Sequence, residues 1–170
     1  MRSRLGWWDG LGLLLLWSAC GCRSGEGKHL LYLDFEAEPA VVAGLSTEQA
    51  YSGSRAAKVV GPADTLLLRY PRLSLSASRH VRLSAQLWLA RSPARYPPLV
   101  VEVYRGGAPI HRHELRLDEV VKRYNAWVPV TTLLRLPRDV EPSDELRISL
   151  ILNQPATQVY LDDLALDDAE

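Results

Sequence analysis

From His29 onward no stretch of the chain holds a helical period. Short alternating or apolar runs recur instead, each closed by Pro, Gly, Asn or Asp. The clearest run covers 81–89. Val81, Leu83, Ala85, Leu87 and Leu89 fall on one side; Arg82, Ser84, Gln86 and Trp88 fall on the other. That period of two is what a strand between core and solvent requires. Comparable runs occupy 29–36, 55–60, 99–104, 110–117, 126–134, 146–152 and 158–166. The segment 66–75 reads as one strand broken by Pro71, which has no N–H to give a ladder. Gly106-Gly107 signals a tight hairpin. Residues 118–124 suit a turn of helix, and 37–50 a long loop with room for a short strand. About eight or nine short strands in one domain predict an all-β fold, an antiparallel β-sandwich of jelly-roll type.

The N-terminus follows different rules. Arg2 and Arg4 lead into an apolar core at 11–17, followed by Ser18-Ala19 and Cys20. A basic start, a short apolar core and small residues make a secretory signal. The run falls short of the ~20 residues a bilayer span needs. The segment resembles the lipobox of bacterial lipoproteins, whose cysteine becomes the lipidated first residue. Trp17 stands where that motif usually has Leu, and Cys22 is a second candidate behind Cys20. The resemblance implies a signal peptide at 1–19, a lipidated flexible tether at 20–28 and a sandwich domain at 29–170. It also implies a lipid-anchored place in the cell envelope, at the outer membrane in a Gram-negative cell. One acyl chain holds a protein to a bilayer only marginally, so stable anchoring takes more than one.

Both cysteines lie in that N-terminal segment, so the body has neither an internal disulfide nor a cysteine nucleophile. Formal net charge is zero, and the signal removes only Arg2, Arg4 and Asp9. A near-neutral domain lacks the basic footprint of a nucleic-acid binder, so no nucleic-acid partner is expected. No nucleophile elbow, phosphate loop or His-Glu-x-x-His occurs, and nothing singles out Glu102 and Glu114 as a glycosidase pair. The expectation is a non-enzyme.

Three separated segments share one layout. Leu33-Asp34-Phe35-Glu36 comes first, and 50–59 (AYSGSRAAKV) follows, similar to an "SGKYSLKV" pattern. The third, 159–166 (VYLDDLAL), is similar to "VYIDDVEL". Between them, Leu83-Ser84-Ala85 and 125–130 (NAWVPV) stand where such domains carry further strands. The order resembles galactose-binding-like jelly rolls, in particular the calcium-containing carbohydrate-binding modules of bacterial glycan hydrolases. Gln86 departs from the pattern, which usually has Trp there.

The resemblance implies a structural Ca²⁺ where the first and last strands meet. Glu36 and Asp162 are its matching carboxylates, with the carbonyls of Ser52 and Gly53 as further oxygens. For a sugar, Arg82, Gln86, Trp88, Glu102 and Tyr104 project from polar faces and form one patch if 81–89 and 99–105 share a sheet. Trp127 is expected in sheet packing. His111 and His113 face one way on a strand, but no third ligand stands near, which favours an ordinary exposed strand. The reading that results is a membrane-anchored, non-catalytic jelly-roll module with a polysaccharide as candidate ligand. The alternative is a scaffold module of an envelope assembly that binds protein and no sugar.

Overall fold

The computed structural model describes residues 29–37, 44–61, 65–70, 79–93, 96–152 and 158–169. The signal, Cys20, Cys22 and the tether lie outside the described residues, as do 38–43 and 71–78. In chain order the elements are β1 (His29–Leu33), β2 (Leu45–Ser46), β3 (Ala56–Val60), β4 (Thr65–Tyr70) and β5 (His80–Leu89). There follow β6 (Pro98–Arg105), β7 (Ala108–Arg116), α1 (Leu117–Val120), β8 (Trp127–Arg135), β9 (Glu145–Ile151) and β10 (Gln158–Asp168).

The strands form two antiparallel sheets. The larger has the order β2-β3-β10-β5-β8, with β1 also paired to β10. The smaller has the order β4-β9-β6-β7. The apolar sides of the alternating runs meet between them. Leu83, Leu87, Val159, Leu161, Leu164 and Leu166 from the larger sheet face Leu99, Val103, Leu146, Ile148 and Leu150 from the smaller, all buried. Each such side chain contributes ~1.5–3 kcal/mol through burial, which makes this interface the main source of stability. The hairpin between β6 and β7 turns at Gly106 and Gly107, whose φ values of 57° and 86° suit a type I′ turn.

Two local features decide where the polar side chains go. The first strand stops at Leu33, three residues short of the alternating run. Asp34 Oδ1 accepts the Glu36 N–H, and Phe35 takes φ 58° to drop its ring into the core. A left-handed φ is costly for a bulky residue, and burial of the ring offsets it. Glu36 is thereby turned away from β10 toward the 53–55 turn.

The second feature is a bulge in β10. Asp162 pairs with Gln86 and Ala165 with Ser84, so Asp163-Leu164 together oppose Ala85. Asp163 carries the positive φ of 46° that such a bulge needs, and aspartate tolerates it. The extra residue shifts the phase of the strand. Leu161 before it and Leu164 and Leu166 after it can then all reach the core.

Candidate functional site: the outer face of the larger sheet

The register aligns one row of large side chains across the outside of the larger sheet. Tyr160 pairs with Lys58 on β3 and with Trp88 on β5, and Trp88 pairs with Trp127 on β8. Gln86 lies in the next row between Asp162 and Pro129; Ser84 and Arg82 follow, beside Thr131 and Leu133. All of these point away from the main core. Trp88 and Tyr160 are nevertheless only 8% and 2% exposed, and their rings meet edge to face at 5.2 Å. With Ala56 they form a second small core, and Trp127 packs against it.

The segment 48–55 covers that second core. Glu48 accepts the Tyr160 hydroxyl at 2.7 Å and both of its carboxylate oxygens accept from Lys58 Nζ at 2.7 Å. Lys58 also lies 5.5 Å from the Tyr160 ring centre. Further along, the Tyr51 ring meets Trp127 edge-on at 5.8 Å. Asp162 sits beneath, fully buried, and its Oδ2 accepts the N–H groups of Tyr51 and Ser52 at 2.8 and 3.2 Å. Burial pushes the Asp162 carboxyl above the ordinary carboxylate range, while the amides of Tyr51, Ser52 and Asp163 pull the other way.

Glu36 holds the other end of the same segment. Its Oε1 accepts the N–H groups of Ser54 and Arg55 at 2.7 and 2.8 Å, and its Oε2 accepts the Ser54 hydroxyl at 2.8 Å. These bonds, led by the Ser54 amide, hold the Glu36 carboxyl below its usual range. Gly53, at φ 58°, lies against this carboxylate, and a Cβ there would come within 2.5 Å of Glu36 Cδ.

The residues expected in one sugar patch are split between the two faces. Arg82, Gln86 and Trp88 belong to the larger sheet, whereas Glu102 and Tyr104 lie on β6 in the smaller one. β6 pairs with β7 and β9 instead of β5, so the two groups project from opposite sides of the molecule. Glu102 and Tyr104 belong there to a polar lattice. Arg112 bonds Glu102 at 3.1 Å, and the Arg147 guanidinium stacks 3.6 Å from the Tyr104 ring centre. Glu145 binds Arg147 at 2.8 Å and Arg69 at 3.8 Å. Trp88 is likewise corrected from platform to buried support. The face instead offers Tyr51, 51% exposed, and the half-buried Trp127, neither of which the sequence had marked as a ligand group.

The implied calcium also meets a specific geometry. Glu36 and Asp162 do act on one segment, but through its amides. Ca²⁺ needs about six to eight oxygen ligands. A carboxylate has about four acceptor positions. Two backbone N–H groups and a hydroxyl take three of those of Glu36, and three backbone N–H groups take three of those of Asp162. The Arg55 guanidinium donates to the Glu36 carbonyl, another oxygen a metal would use. Among the described residues no group of three or more His, Cys, Asp or Glu could hold a metal ion. This donor set does not fit a calcium site.

His111 and His113 pair with Val103 and Val101, whose side chains face the core. The two histidines therefore point inward at the rim of the sandwich, half-buried, and His113 Nε2 lies 3.5 Å from Thr132 Oγ1. The expected exposed strand is thus exposed at its Ala108–Ile110 end and at Arg112, Glu114 and Arg116, but not at the two histidines.

No protein-family model and no curated protein matches the chain. Solved structures do. The xylan-binding CBM22-1 domain of Paenibacillus barcinonensis Xyn10C is similar at TM-score 0.55 and 16% identity, over 85% of this chain and 97% of that one. The structure described as "Family 16 Carbohydrate Binding Module-2" is similar at TM-score 0.52 and 16% identity, over 81% and 90%. The C-terminal family 22 carbohydrate binding module of Clostridium thermocellum Xyn10B matches at TM-score 0.52 and 17% identity, over 83% and 93%. At such identities the likeness is one of fold. The described body is an antiparallel β-sandwich of the architecture found in carbohydrate-binding modules.

Proposed function

We propose that this chain is a non-catalytic, glycan-binding module of the cell envelope, and that it binds on the outer face of its larger sheet. The carrying observation is the Tyr51–Trp127 pair, two rings accessible on one face at 5.8 Å, with Gln86 in the next row and Arg82 further along the same face. Sugars are held by ring faces against C–H groups and by planar polar side chains on hydroxyls, and both kinds of group stand here. The carbohydrate-binding modules of similar fold support the reading.

A glycan array probed with the purified chain tests it. Wild-type protein binds at least one polysaccharide class, and Tyr51→Ala weakens that binding by about tenfold or more, equivalent to roughly 1.4 kcal/mol. Tyr51 is exposed, so its loss leaves the core intact. Binding of no glycan at all sinks the proposal. The scaffold reading has one observation of its own, Leu133 at 56% exposed on the edge strand β8. It gains if Leu133→Asp abolishes association with an envelope protein.

The location is part of the proposal and rests on the Cys20 motif. Cys20→Ser is expected to move the protein from the membrane fraction to the soluble one. Retention in the membrane would assign the anchor to Cys22 or to an uncleaved signal.

A further inference from the structure

We infer that Glu36 and Asp162 form a metal-independent clasp, in which two carboxylates from opposite ends of the domain hold the 51–55 turn by its own amides. Glu36 follows the first strand and Asp162 lies in the last, yet both act on one five-residue stretch. That stretch offers N–H groups in two consecutive pairs, Tyr51 with Ser52 and Ser54 with Arg55. Each pair converges on a single carboxylate oxygen, an arrangement suited to an anion. Gly53 separates the pairs and admits the Glu36 carboxylate, which a Cβ at that position would displace.

The charges around the clasp favour amides over a cation. Backbone N–H groups and the Arg55 guanidinium already bond the Glu36 side-chain and main-chain oxygens that a Ca²⁺ would need. A divalent ion would have to break several of these bonds and then sit beside Arg55. Three N–H bonds, from Tyr51, Ser52 and Asp163, offset part of the desolvation of Asp162. Asp163 extends the clasp, since its Oδ1 accepts the Ser52 hydroxyl at 2.7 Å and the Tyr32 hydroxyl at 3.0 Å. β1, the turn and β10 are thereby joined without an ion.

Melting of the whole chain in excess EDTA and in excess CaCl₂ tests this, with calorimetric titration by CaCl₂ alone. The clasp predicts melting temperatures that agree within about 1 °C and no saturable heat. A rise of several degrees in calcium, or saturable binding below roughly 1 mM, overturns it. Two variants sharpen the result. In Glu36→Gln the amide oxygen still accepts from Ser54 and Arg55, and the new NH₂ can donate to the Ser54 hydroxyl. This variant should melt between wild type and Glu36→Ala, which should melt roughly 5 °C below wild type, each by the same amount in EDTA and in CaCl₂. A loss in either variant that appears in CaCl₂ and vanishes in EDTA would show that the carboxylate serves a metal and would contradict the clasp. None of these readouts uses a glycan, so their failure is separate from failure of the binding proposal.

Discussion

Asp144 is fully buried, and its carboxylate is kept charged there by bonds to Arg105. Arg105 Nε and Nη2 reach its two oxygens at 2.8 Å each, and the Glu141 N–H adds a bond of 2.8 Å. The Arg105 bonds hold the Asp144 carboxyl below its ordinary range. A carboxyl lowered on folding stabilises the native state above its unfolded pKa, and that stability is lost as pH falls through the folded pKa. Wild type should therefore exceed Asp144→Asn in urea stability at pH 7. The gap should shrink below about pH 4. A gap that stays constant from neutral to acid would show that Asp144 contributes by packing instead. None of this was legible in the sequence, because Arg105 ends β6 and Asp144 lies in the loop before β9, and alternation does not report which polar groups at strand ends face each other.

The strands themselves were legible, since alternation of apolar residues marks both a strand and its inner side. Alternation does not name a strand's neighbour. β5 and β6 follow one another in the chain, yet they lie in different sheets, and this is what divided the expected sugar patch. The segment 48–55 was opaque for a different reason. It has no period and is held by backbone bonds to Asp162 and Glu36, so the burial of Trp88 and Tyr160 beneath it left no pattern to read. The bulge in β10 did leave one. Val159 and Leu161 are out of phase with Leu164 and Leu166, and only an extra residue at Asp162-Asp163 lets all four face inward. Deleting Asp163 leaves Leu161, Leu164 and Leu166 on alternate positions, so a regular strand keeps all three inward. The variant loses the Asp163 bonds to Ser52 and Tyr32 and is expected to stay folded with a melting temperature several degrees lower. Circular dichroism would check this. A deletion variant that fails to fold would mean the extra residue does more than absorb the change of phase.

The molecule as a whole has two dissimilar outer faces. The smaller sheet carries a self-paired lattice in which Arg69, Arg112 and Arg147 each meet a glutamate. The larger sheet carries aromatic rings, a covering turn and the amide clasp that fixes it. On the proposed function, only the larger-sheet face binds glycan. The direct measurement is retention of the whole chain on immobilised polysaccharides, comparing wild type with Tyr51→Ala and with Glu102→Ala on the opposite sheet. Tyr51→Ala is expected to elute early on every matrix that retards wild type, while Glu102→Ala elutes with wild type. Early elution of Glu102→Ala together with unchanged retention of Tyr51→Ala would contradict the proposed function.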